Sequence, residues 1–250
     1  MTGWAIAALW LAQDLAWIRE IAARDLVLRV PGMEQIALLE DEGEDLPFDV
    51  YPAGKPNAPV VVLVHAGPLP VNLKTPPRKW RGYRSLGQAL AASGITAVMF
   101  DHRYQGFGNQ GEAQARLDEV VQDVRDHSVD WDVDPNRMAI WSFGGGSVLT
   151  SRYWTERPAT MRALVLYYPM LEAPAREGSP PLIVARAGQD LAMRNQSIDR
   201  WVRDARAGRA SVELLEHPRG EHAFEVRQDD ERSRAILRRT IAFLVEQLKP

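Results

Sequence analysis

The sequence predicts a single α/β domain, with a mostly parallel central sheet, helices on both faces and an extra helix at the N-terminus. Three observations carry this. Apolar, β-branched runs, Val60–Val64 foremost, read as strands buried on both faces. Segments of helical periodicity alternate with them. No repeat, low-complexity stretch or linker interrupts the 250 residues, a length that one core can serve. We therefore treat residues 1–250 as one domain, with 1–30 as a helical extension.

The elements follow in order. Thr2–Ala23, rich in tryptophan, reads as an amphipathic helix that packs on the body, covers a site or contacts a second copy. Gln35–Glu40 and Leu46–Tyr51, separated by the polar turn Asp41–Asp45, read as a hairpin. Val60–Val64 is the first buried strand and ends in His65-Ala66-Gly67-Pro68. A polar loop, Pro68–Trp80, leads to a helix over Tyr83–Ala92. Ile95–Asp101 is a strand, Glu112–Val129 a helix, and Met138–Phe143 a strand with a helix after it to about Trp154. Strands over Ala163–Tyr168, Leu182–Arg186 and Val212–Glu216 follow, with helices over Gln196–Ala207 and Glu231–Leu248.

Composition narrows the function classes. The net charge of −3 gives no reason to expect nucleic acid;. The chain has no cysteine, so disulfides, thiolate zinc sites and cysteine nucleophiles are excluded;. The five histidines are scattered and show no His-Glu-x-x-His spacing, so no metal site is expected;. No basic residue precedes the N-terminal apolar run, which argues against a signal peptide. That run is too short to cross a bilayer, so no integral membrane segment and a cytoplasmic location are expected.

The organising stretch is Arg137–Leu149. A strand-like run meets Gly144-Gly145-Gly146 and a helix-compatible segment follows, the strand–tight turn–helix layout of a nucleophile elbow. The apex of such a turn normally carries an oxygen or sulfur nucleophile. Here it is Gly144, which has no side chain.

Four further strand ends carry polar residues: His65-Ala66-Gly67-Pro68, Asp101-His102-Arg103, Gly188-Gln189-Asp190 and, after the last strand, Gly220-Glu221-His222-Ala223-Phe224. With the elbow, these stand in the order found in the α/β-hydrolase superfamily. Residues 35–250 are most similar to its small esterase, dienelactone-hydrolase and prolyl-peptidase-like members. The resemblance implies an α/β-hydrolase fold, Asp190 as the acid and His222 as the histidine of a triad. It also implies an oxyanion hole from the backbone N–H of Gly145 and of Ala66 or Gly67. The family's nucleophile, a serine, would fall at Gly144.

Three readings of that mismatch stay open. The chain is a serine hydrolase that has lost its nucleophile, and is inactive or very slow on a small ester-like substrate. Or Ser142 or Ser147 substitutes. Or His222, oriented by Asp190, acts as a general base without a covalent intermediate. A non-catalytic ligand-binding role is the further alternative. Gly106-Phe107-Gly108-Asn109-Gln110-Gly111 spells a dinucleotide-binding pattern, but its first glycine lies beyond the strand end, so no cofactor is expected. Trp10, Trp80, Trp141 and Tyr168, with the segments Leu69–Trp80 and Leu171–Ser179, are expected to shape an apolar pocket. Homodimerisation through the N-terminal helix is a further expectation.

Overall fold

The structure, a computed structural model, describes residues 15–41, 47–70 and 73–250. Eight strands form one sheet in the order β1-β2-β4-β3-β5-β6-β7-β8. They are β1 (Leu39–Asp41), β2 (Phe48–Tyr51), β3 (Ala58–Val64), β4 (Thr96–Phe100), β5 (Val133–Phe143), β6 (Met161–Tyr167), β7 (Leu182–Ala187) and β8 (Val212–His217). β1 and β2 pair antiparallel, as do β2 and β4. Every other pair is parallel. The expected hairpin is present as β1 and β2. Its first strand begins later than the sequence suggests, because Met33–Gln35 closes a 3₁₀ turn instead. The expected turn between the two strands lies mostly outside the described residues.

Helices cover both faces. On one side lie α1 (Leu15–Ala22), α2 (Arg81–Ala92) and α7 (Glu231–Gln247); on the other, α3 (Gln110–Asp126) and α5 (Ala192–Ala207). Short helices α4 (Arg152–Thr155) and α6 (Phe224–Arg227) complete the set. Of the predicted N-terminal helix, Thr2–Asp14 lies outside the described residues. α1 is its C-terminal part and buries Ile18 and Ile21.

β3 shows why the sheet forms. Val61 and Leu63 point into the core under α1, α2 and α7, while Val60, Val62 and Val64 point into the opposite core. All five are fully buried. A side chain of this size contributes about 1.5–3 kcal/mol when so removed from water. A strand with two apolar faces is stable only inside a layered sheet.

The topology brings four loops to one end. β5 pairs with β3, and Ser142 stands opposite Val64, so the elbow and the His65–Pro68 loop lie side by side. β7 pairs with β8, with Ala187 opposite His217, so the Asp190 and His222 loops also adjoin. Gly188 N–H donates to His217 O at 2.8 Å and Gln189 N–H to Gly220 O at 2.8 Å, locking these two loops together.

Candidate active site

The elbow is built on close backbone approach. Gly144 has φ +51°, a left-handed conformation that glycine adopts without strain;. A Cβ on Gly145 would lie 2.0 Å from Gly67 O, and one on Gly146 2.1 Å from His65 O. Neither position admits a side chain. At Gly144 the surroundings differ. A Cβ there would stand 3.5 Å from Ala66 Cβ and 3.7 Å from His222 Nε2. That is ordinary contact distance, and it points the apex at the imidazole. The expected helix after the elbow is a 3₁₀ segment, Gly144–Thr150, followed by the single-turn α4.

The acid and the imidazole meet although 32 residues separate them. His222 Nδ1 lies 2.7 Å from Asp190 Oδ2. With Nδ1–H donating to the carboxylate, Nε2 keeps its lone pair for the elbow side. The Asp190 side chain is 4% exposed and that of His222 15%. Burial raises the Asp190 pKa, but the hydrogen bond from His222 and the Arg194 charge outweigh it and hold the carboxyl below its usual range. Burial lowers the pKa of His222, and the Arg194 cation lowers it further, against the pull of Asp190. The imidazole is therefore neutral, as a general base must be.

Arg194 is a site residue the sequence reading missed. Its Nη1 donates to Asp190 Oδ2 at 2.8 Å and lies against His222 Nδ1, a second donor to the same carboxylate. The side chain is 6% exposed. It reaches the carboxylate because it lies one helical turn beyond Asp190, at the start of α5, and i,i+4 side chains meet. That spacing was the only signal available in the sequence. Tyr168 was expected only as part of a pocket wall. Its ring lies 4.2 Å from that of His222, centroid to centroid, and its hydroxyl donates to Glu225 Oε1 at 2.5 Å.

The His65–Pro68 loop is held by two stacked histidines, with ring centroids 3.5 Å apart. His102 Nδ1 accepts from Tyr104 N–H at 3.0 Å, so its Nε2–H donates to His65 O, also at 3.0 Å. His65 Nδ1–H donates to Ala66 O at 2.7 Å. Burial keeps both rings neutral, His102 down to about 4. Of the two backbone N–H groups expected to serve an oxyanion hole, the loop leaves one unengaged. Ala66 N–H is already committed to Tyr83 Oη at 2.8 Å, whereas Gly67 N–H has no partner among the described residues.

Asp101 stands away from this centre. It accepts Arg78 N–H at 3.0 Å, and the Arg78 guanidinium bridges it to Asp49 on β2, which anchors the loop before α2. Ser142 and Ser147 are fully buried, and Ser142 Oγ donates to Ser147 Oγ at 3.2 Å. Neither hydroxyl faces a substrate, so the reading in which one of them replaces the nucleophile fails on geometry.

A cavity of about 30 Å³ opens beside His222 and Ala66, lined among others by Trp17, Trp80, Tyr83, Tyr168 and Glu225. Of the expected wall residues, Trp80 and Tyr168 line it. Trp141 is fully buried in the core, and Trp10 lies outside the described residues. Among the described residues no group of three or more histidines and carboxylates stands close enough to ligate a metal, and no helix is long and apolar enough to cross a membrane.

No curated protein matches the chain. Among solved structures it superposes on a thermostable esterase from Pseudomonas putida ECU1011 with a TM-score of 0.71, at 16% identity, covering 100% of this chain and 91% of that one. It is also similar to a thermophilic esterase from the planctomycete Thermogutta terrifontis, with a TM-score of 0.69 at 19% identity, covering 89% of this chain and 97% of that one. The same esterase phosphorylated by paraoxon gives 0.67 at 18% identity, covering 89% and 99%. At these identities the likeness is one of fold. The family model for the serine aminopeptidases, S33, matches residues 79–245. With more than half of its length matched by that model, the chain belongs to the serine aminopeptidase S33 family of α/β-hydrolases.

Proposed function

We propose that this chain is an ester-hydrolase scaffold without its covalent nucleophile, binding small ester-like molecules at Gly144 and His222 and hydrolysing them slowly. One observation carries the reading: a Cβ on the apex residue, where the nucleophile should stand, would lie 3.7 Å from His222 Nε2, yet the residue is glycine. Everything around it fits acyl transfer. Asp190 orients the imidazole, and the N–H groups of Gly145 and Gly67 serve as the oxyanion hole, since backbone donors do not depend on the missing side chain.

The residual route uses water. A water beside Gly144 gives its proton to His222 Nε2 and attacks the ester carbonyl. The developing oxyanion is held by the two backbone donors, and His222 returns the proton to the leaving alcohol. No acyl-enzyme forms. Loss of a triad nucleophile costs about 10⁶ in turnover and leaves roughly 10³ over water.

The test is Gly144→Ser assayed on short p-nitrophenyl esters. We expect a rise of several orders of magnitude over the parent chain, up to about 10⁶-fold. Paraoxon, which phosphorylates the Thermogutta terrifontis esterase, should then add one phosphoryl group to the variant and none to the parent. A folded variant with no gain in hydrolysis and no labelling would leave the binding role as the reading that survives.

A further inference from the structure

The cavity beside His222 is walled almost entirely by apolar and aromatic groups, with one exception. Glu225, on α6 three residues beyond His222, lines it and is 5% exposed. Its Oε1 accepts the Tyr168 hydroxyl at 2.5 Å. Its Oε2 is buried and has no partner among the described residues. Neighbouring polar groups on the wall are engaged: Tyr83 Oη by Ala66 N–H at 2.8 Å, and Trp80 Nε1 by Thr75 O at 3.1 Å. A buried acceptor left unsatisfied is costly, and a ligand that satisfies it recovers that cost.

We infer that Glu225 determines specificity at this site, selecting a small acyl group that carries its own hydrogen-bond donor, an O–H or N–H, to meet the Glu225 carboxyl. The inference rests on the reading of the site as an ester pocket and adds the substrate class to it. Three features support it. The cavity, at about 30 Å³, has room for a small substituent only;. Burial raises the Glu225 carboxyl to about 7, so near neutral pH a donor ligand can draw it into the ionised, accepting form;. A pocket built around a buried polar group rejects an isostere that lacks the matching donor, because the group is then left unpaired.

Trp17 and Trp80 line the cavity, so occupancy can be read from tryptophan fluorescence without any turnover. The probes are methyl glycolate, methyl glycinate and methyl propionate, which place a hydroxyl, an amine and a methyl at one position. The parent protein should bind the first two about tenfold or more tighter than the third. In Glu225→Met that preference should vanish. In Glu225→Gln, which keeps an acceptor oxygen but no charge, the hydroxyl ester should keep its advantage while the amine loses it. Equal or tighter binding of methyl propionate to the parent overturns the inference, and so does absence of binding by all three. That result needs no variant, so misfolding of Glu225→Met does not protect the idea. Failure here is separable from failure of the hydrolase reading. If Gly144→Ser cleaves methyl propionate as fast as methyl glycolate, the hydrolase stands and this inference falls. If the parent prefers the donor esters while Gly144→Ser stays silent, the reverse holds.

Discussion

Gly144 and Gly146 lie two residues apart on one turn and are glycine for opposite reasons. At Gly146 a methyl group would overlap the His65 carbonyl oxygen at 2.1 Å, and at Gly145 it would overlap Gly67 O at 2.0 Å. Packing forbids any side chain at either. At Gly144 the nearest atom to an added Cβ is 3.5 Å away. Only the left-handed backbone favours glycine there, at a cost to other residues of about 1–2 kcal/mol. Gly144 therefore leaves space for a side chain where its two neighbours leave none. The difference separates glycines fixed by packing from one favoured only by its backbone conformation.

The strongest way to break this comparison is Gly144→Ser itself. The gain in ester hydrolysis, up to about 10⁶-fold, should come with a loss of only about 1–2 kcal/mol in unfolding free energy, read from urea denaturation. Gly146→Ala should behave the other way, with no gain in activity and a loss of about 3 kcal/mol from overpacking against backbone. If Gly144→Ser unfolds the protein or Gly146→Ala is neutral, the two positions are not distinct in the way the geometry says.

A second contrast sets Glu225 against His222, two buried titratable groups on one loop and helix. The folded pKa of Glu225 is raised from 4.5 to about 7 by burial. Its contribution to stability is present in full below pH 4.5 and fades as pH rises through about 7, because the unfolded chain releases the proton first. His222 is lowered from 6.5, chiefly by burial. Its contribution is present above pH 6.5 and fades as pH falls through its folded value. Glu225→Gln should therefore gain on the parent by about 3 kcal/mol between pH 4.5 and 7. Thermal unfolding across that range measures it, and parallel curves for the two proteins would mean that Glu225 is not held protonated by its surroundings.

Much of the architecture was legible in the sequence because its signals are local. Val60–Val64 can only be a doubly buried strand, and three consecutive glycines after Trp141-Ser142-Phe143 can only be a tight turn. Asp190 and His222 were legible because each follows a strand, and strand ends converge in a parallel sheet. What stayed hidden depends on contacts between elements. Trp141 looked available for a pocket but faces the core, since strand alternation does not say which face meets the site. The partner of Ala66 N–H is Tyr83, from a helix 17 residues on. The partner of Glu225 Oε1 is Tyr168, 57 residues back in the chain.

Arg194 offers the finest test of how the His222 side of the site differs from the elbow side. A serine hydrolase protonates its histidine during attack, and a nearby carboxylate stabilises that cation. Here Arg194 donates to the same Asp190 oxygen and presses a second positive charge against the ring. It steadies Asp190 but opposes the imidazolium. In the Gly144→Ser background, Arg194→Met should therefore raise the pKa of His222. The acid limb of the pH–rate profile then moves to higher pH, because the base must be neutral to accept a proton. The plateau rate should rise several-fold, because the imidazolium formed in attack no longer meets a fixed cation. A merely structural role for Arg194 would lower the rate at every pH and leave the limb where it was. A limb that moves to lower pH would mean that Arg194 helps the imidazole hold its proton, contrary to the electrostatics of the contact.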